Sequence, residues 1–249
     1  MHKSVIFTTY FSQKEHPNDP NDTCVIGRGS DGRVLQNNFD YIKHWYDSIV
    51  ALNLEARVFY DNLSDDFVQE YATEKVKFIY SPPSDYSNND WRFFVYHKYL
   101  QLNKFDSVFL TDGSDVSVVQ EPSNILKEQP DIDYFICKDS IKLSDFPYMT
   151  VHEQTNWDNS DWFAKEQSNL PLINMGVIGA SYENINLFLE SFCNTRRSMG
   201  NEYFNADMWV GQYVFRHLLS SKNLLIGEPF TSNFKKYEIH RKDVYFIHK

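Results

Sequence analysis

Short apolar runs recur along this chain, and helical patterns separate most of them. Residues 4–11 (SVIFTTYF), 55–60 (EARVFY), 76–80 (VKFIY), 106–111 (DSVFLT), 133–137 (DYFIC) and 172–179 (LINMGVIG) read as buried strands. Between them, 38–53 sets Phe39, Ile42, Trp45, Ile49 and Leu52 at helical spacing. Ser64-Asp65-Asp66 marks a helix start with acidic residues in its first turn, where they favour the positive end of the helix dipole. Residues 89–103 form a further helix carrying Trp91, Arg92, Tyr96 and Lys98, and Pro122 opens another. Helices are predicted at 182–198 and 205–221, with short strands near 223–226 and 244–247. Strand–helix alternation of this kind predicts an α/β fold: a mostly parallel central sheet flanked by helices on both faces. No internal repeat, low-complexity tract or linker divides the chain, so one domain over 1–249 is expected.

In open α/β sheets, ligands bind beyond the carboxyl ends of the strands. Asp61, Asp112 and Asp115 all fall at such ends. The most informative segment is Asp112-Gly113-Ser114-Asp115, where an apolar strand delivers two carboxylates into a tight turn. Carboxylates are hard oxygen ligands suited to Mg²⁺ or Mn²⁺, ions held by one or two protein carboxylates plus substrate phosphates. Such a cation clamps a diphosphate and offsets the charge of the leaving group. Taken alone, the segment reads equally as an ordinary Asp-Gly turn after a strand.

The formal net charge of −10 opposes a nucleic-acid partner, because the phosphate backbone would be repelled. Cys24, Cys137 and Cys193 are odd in number and far apart, which indicates neither a disulfide framework nor a zinc site. Met1-His2-Lys3 runs directly into the first strand, and no apolar run reaches the roughly 18 residues of a membrane span. A cytoplasmic, reducing compartment is the expectation.

Val108-Phe109-Leu110-Thr111-Asp112-Gly113-Ser114-Asp115-Val116 resembles the metal motif of GT-A glycosyltransferases. Those enzymes usually carry Asp-x-Asp; the Asp-x-x-Asp spacing here is closer to the glycosyltransferase domains of collagen lysyl hydroxylases and their viral relatives. Asn174-Met175-Gly176-Val177-Ile178-Gly179 resembles the family's strand beside the sugar, and Tyr245-Phe246-Ile247-His248 its late strand ending in a metal-binding His. Asn205-Ala206-Asp207 opens a helix where the family often places an acidic residue near the transferred sugar, although Met208 breaks the family's Asp-Asp-Gln pattern. It is the order of these motifs, from residue 4 to 248, that carries the resemblance.

The resemblance implies a GT-A-like glycosyltransferase that moves a sugar from a nucleoside-diphosphate sugar, with a UDP-hexose first in line, to an acceptor hydroxyl on a glycan or protein. It implies Mn²⁺ or Mg²⁺ on Asp112, Asp115 and His248. Thr8, Thr9 and Tyr10 at the end of the first strand, Arg92, Asn174 and Gly176 would meet the donor. Two other readings of single residues stay open: Tyr10 as a core ring and Arg92 as a solvated helix residue. Asp207 and Asp158 are the candidate catalytic carboxylates, with Asp161 a further candidate for a base. Asp158 lies in a polar loop with His152, Glu153, Trp157, Asp161 and Trp162, whose two indoles offer an acceptor platform or simply anchor the loop.

Gly27-Arg28-Gly29-Ser30-Asp31-Gly32 matches a dinucleotide fingerprint only in letters, since no credible strand precedes it directly. It reads as a loop, with Arg28 or Arg33 available to a phosphate. A sugar nucleotidyltransferase would show a Gly-rich basic loop after the first strand, where this chain has Phe11-Ser12-Gln13-Lys14-Glu15. A non-catalytic nucleotide- or carbohydrate-binding protein of the same fold is the remaining alternative.

Overall fold

The computed structural model describes residues 3–17, 27–145, 169–236 and 238–249. Its strands are β1 (Ser4–Tyr10), β2 (Ala56–Tyr60), β3 (Val76–Tyr80), β4 (Ser107–Thr111), β5 (Val116–Val118), β6 (Tyr134–Lys142), β7 (Pro171–Ser181), β8 (Leu224–Ile226) and β9 (Phe246–His248). Its helices are α1 (Lys43–Ala51), α2 (Asp65–Tyr71), α3 (Asn88–Leu100), α4 (Ser123–Glu128), α5 (Tyr182–Ser198) and α6 (Asp207–Tyr213). Seven strands form one sheet in the order β3-β2-β1-β4-β7-β6-β8. The pairs β1–β2, β2–β3, β1–β4 and β6–β8 are parallel, as the alternation predicts. The exception is β7, which runs antiparallel to both β4 and β6.

Strands covered on both faces are buried at most positions and apolar at their centres, as β1, β2 and β4 are. Val5, Phe7 and Leu110 pack against α3, α5 and α6 on one face. Ile6, Tyr10, Val58 and Phe109 pack against Trp45 of α1 and Phe67 of α2 on the other. Local capping starts the helices: the Ser64, Ser87 and Ser181 side chains accept from the Phe67, Asp90 and Asn184 amides.

Two predicted helices are split. The segment 38–53 begins as a 3₁₀ turn at Phe39–Tyr41, and α1 follows. The segment 205–221 holds only seven residues of α6 before a π turn over Val214–Leu218. Strand β6 runs on to Lys142, past the 133–137 run read as a strand. No helix among the described residues is long and apolar enough to cross a membrane.

Candidate active site

Strand β4 ends at the centre of the sheet, and its last residue is pinned from two sides. The Trp45 indole donates to Thr111 Oγ1 at 2.8 Å, and Thr111 Oγ1 donates to the Phe7 carbonyl at 2.9 Å. The next residue, Asp112, extends the ladder by donating its amide to the Gly176 carbonyl at 2.8 Å. The chain then turns at Gly113, which lies so close to β1 that an added Cβ would sit 3.0 Å from Thr8 Oγ1 and 3.2 Å from the Thr9 carbonyl. After Asp115 the backbone enters β5, which pairs antiparallel with the terminal β9, Val116 opposite His248. The Lys249 amide donates to the Asp115 carbonyl at 2.9 Å. That register is why a histidine 133 residues further on meets the aspartates.

Asp112, Asp115 and His248 present ligand atoms that all lie within 4.8 Å of one another. His248 Nε2 is 3.3 Å from Asp115 Oδ2 and 3.9 Å from Asp112 Oδ2. The imidazole is buried, as is Asp115, while Asp112 is partly exposed. His248 Nε2 and Asp115 Oδ1 are buried polar atoms without a hydrogen-bond partner. Buried polar atoms are normally paired, and unpaired ones on residues whose ligand atoms cluster suit a cation. One imidazole and two carboxylates form a donor set that accommodates Mn²⁺ or Mg²⁺. Gly176 keeps the space open: a Cβ there would lie 2.3 Å from His248 Cε1 and 2.7 Å from Asp112 Oδ2. Burial pushes the His248 imidazole down, but Cys137 and Asp115 beside it hold it above its ordinary value.

Arg92 of α3 closes one side of the cluster. Its guanidinium donates to Asp112 Oδ1, to Asp207 Oδ2 at 3.1 Å and to the Met175 carbonyl at 3.3 Å. The arginine is thus buried and ion-paired rather than solvated. Asp207, at the first turn of α6, is buried behind it; burial pushes its carboxyl up, and Arg92 opposes that shift. Asn174 bonds its own strand, accepting from the Gly176 amide at 2.7 Å, and its amide donates to Asp139 at 3.3 Å.

The three residues ending β1 diverge. Thr9 lines the cleft beside Asp112, Gly113 and Asp115. Thr8 is fully buried next to Gly113. Tyr10 is a core ring: it packs against Tyr41 and Phe67, and its hydroxyl donates to the Leu35 and Asn38 carbonyls. Strand alternation turns it to the face opposite Phe7, so it offers no ring to a base. Asp61 is also structural, accepting from the Ser12 and Gln13 amides at 2.8 and 3.2 Å. Residues 27–34 form a turn closed by an Arg28–Val34 bridge, not a strand-to-helix phosphate loop. Asp158, Asp161 and the indoles of Trp157 and Trp162 lie outside the described residues.

The cleft also recruits His16, Asn88 and Asn89, which the sequence did not single out. Asn88 shows no signal beyond lying one turn before Arg92 on the same helix. His16 sits in the polar segment after β1, and Arg28 Nη2 meets its Nδ1 at 2.9 Å.

No protein-family model matches the chain, and no curated protein matches it by sequence. By structure it is similar to the galactosyltransferase LgtC, solved in complex with donor and acceptor sugar analogs. The TM-score is 0.57 over 98% of this chain and 86% of the other, at 12% sequence identity. The fold is GT-A. At that identity, a GT-A likeness fixes the course of the chain and leaves the chemistry to the residues.

Proposed function

We propose that this chain is a metal-dependent glycosyltransferase, transferring a sugar from a nucleoside-diphosphate sugar, a UDP-hexose above all, to an acceptor hydroxyl. The observation that carries the reading is the trio Asp112, Asp115 and His248, with buried, unpartnered Nε2 and Oδ1 atoms, at the carboxyl end of the central strand of a GT-A sheet. These three side chains hold a divalent cation, Mn²⁺ or Mg²⁺. When bound, that ion neutralises charge on the diphosphate leaving group.

The remaining groups orient the donor. Thr9 and the Gly113 backbone form the wall that receives the nucleotide, with Thr8 supporting that wall from beneath. Arg92 faces the phosphates and the sugar from the opposite side, and Gly176 and Asn174 shape the floor below the sugar. Asp207 acts on Arg92, holding its guanidinium at the cleft; a carboxylate so buried is poorly placed to take a proton from an acceptor in solvent. We assign the acceptor hydroxyl to Asp158, with Asp161 the other candidate; both lie outside the described residues. The acceptor is a glycan or protein, and the whole chain acts as one domain. Buried free thiols at Cys137 and Cys193 fit a reducing, cytoplasmic setting.

The segment after β1 argues against a nucleotidyltransferase, because Asp61 presents a carboxylate to the Ser12 and Gln13 amides, where a phosphate would otherwise bind. A panel of nucleotide-sugars tests the proposal by Mn²⁺-dependent thermal stabilisation and by slow hydrolysis of the donor. A UDP-sugar is expected to give both. Stabilisation without any hydrolysis or transfer would make the protein a binder, and neither signal from any nucleotide-sugar would end the proposal.

A further inference from the structure

The His248 ring is held on every side but one. Its backbone amide donates to Ser232 Oγ at 2.9 Å, and the Phe234 ring lies 4.3 Å from it, tilted by 43°. Its Nδ1 meets Cys137 Sγ at 3.2 Å. Cys137 is fully buried on β6, at the residue where the β6–β7 register shifts from Ile136–Ile178 to Cys137–Asn174. The sulfur lies behind the ring, outside the trio that could share an ion.

We propose that Cys137 is a positioning residue for His248, setting the imidazole so that Nε2 faces Asp112 and Asp115 with a free lone pair. The inference rests on the metal reading above. Its physical content is the direction of two hydrogen bonds. A carbonyl can only accept, and the Lys138 carbonyl, 3.7 Å from Cys137 Sγ, offers the S–H an acceptor other than the ring. The sulfur lone pairs are then left to accept from Nδ1–H. An imidazole that ligates through Nε2 is neutral and carries its single ring proton on Nδ1, so the ligating form needs an acceptor behind the ring. With no acceptor behind the ring, the other tautomer would place the proton on Nε2. It would then donate to Asp115 Oδ2, 3.3 Å away, and occupy the lone pair that an ion requires. Ligating histidines generally give their second N–H to a carboxylate, a carbonyl or water; here a thiol sulfur fills that role.

The test measures Mn²⁺ affinity of the full chain by electron paramagnetic resonance, with melting in chelator as the control for folding. Cys137→Ala is expected to bind Mn²⁺ about 10-fold more weakly, the scale of losing such a supporting partner. Cys137→Ser, whose hydroxyl also accepts from Nδ1–H, should recover most of that loss. Co²⁺-loaded wild type should show no thiolate-to-metal absorption band. If Cys137→Ala binds like wild type while His248→Ala does not, the positioning role is wrong and the metal site stands. If His248→Ala also binds like wild type, the metal reading itself fails and takes this proposal with it. A Co²⁺–thiolate band abolished by Cys137→Ala would make the cysteine a ligand and overturn its positioning role. Equal loss of melting temperature in both Cys137 variants, without a change in affinity, would make the residue structural.

Discussion

Two buried ionic clusters sit near α3, and they are finished to different degrees. At the first turn of the helix, Asp90 meets Arg196 of α5, both fully buried. Arg196 donates to Asp90 and to the Gly200, Asn201, Glu202 and Phe204 carbonyls. Asp90 Oδ2 also accepts from Ser87 Oγ and the Ala206 amide, although its Oδ1 has no partner. At the other cluster, Asp115 Oδ1 and His248 Nε2 have no hydrogen-bond partner, and the available arginine is shared with Asp207. Burying a charge is tolerated when hydrogen bonds replace water. A guanidinium with its donors spent on carbonyls has nothing left for a ligand. The unfinished cluster is the one a cation would complete. The lesson is that burial and charge do not separate a structural pair from a binding site; the donor set does, three ligand atoms within 4.8 Å of one another in one cluster against a guanidinium spent on carbonyls in the other.

Breaking the finished cluster should give the largest effect, and on folding. Burial pushes the Asp90 carboxyl up to about 6, with Arg196 opposing that rise. Arg196→Met leaves this carboxylate buried without its counter-charge and is expected to cost about 3–5 kcal/mol in chemical denaturation. A cost below about 1 kcal/mol would mean that the pair is no better than a surface one.

The unfinished cluster should show the opposite pattern. Asp115→Asn keeps the size of the side chain and the backbone bond to Lys249, so melting in chelator should hold. Activity should fall on the order of 100- to 1000-fold, the scale of one lost contact to transition-state charge. Full Mn²⁺-dependent turnover by this variant would remove Asp115 from the site. Gly176→Ala acts on the same cluster by volume alone. Its methyl would displace both His248 and Asp112, so Mn²⁺ affinity should drop on the order of 100-fold. A calorimetric titration matching wild type would show that the ring has room to move, and that the glycine serves the strand instead.

Sequence carried some of this and physically could not carry the rest. The aspartates were legible because apolar 106–111 stops at two carboxylates one turn apart, a purely local pattern. The strand periods and the helix over Tyr182–Ser198 were legible for the same reason. Pairing partners were not. Alternation suggests parallel neighbours and is silent on β7, which runs antiparallel to both β4 and β6. The Arg92–Asp207 pair spans 115 residues, and Cys137 and His248 are 111 apart, so no window of sequence contains either. Tyr10 shows the cost of reading position without parity: one residue after Thr9, its ring points into the core.

His248 is the residue on which the comparison turns, since it is buried like Arg196 yet has an unspent atom. Replacing it by Ala removes one ligand of several, which water partly replaces, so Mn²⁺-dependent UDP binding should weaken by about 1–3 kcal/mol. The ring is also packed against Phe234 and Cys137, so the variant loses contacts in the core. A core truncation commonly costs about 1 kcal/mol or more, and melting in chelator should therefore fall as well. Loss of stability alone does not separate ligand from core residue. The separating quantity is the increment in melting temperature that Mn²⁺ and UDP add, measured in each protein against its own chelated baseline. A bound ligand stabilises only through its affinity for the folded state, so a weakened site must shrink that increment. For a ligand, the increment in His248→Ala is smaller than in wild type at matched concentrations. For a core residue, both melting curves shift together and the increment is unchanged, which would place His248 with Arg196 among the structural groups.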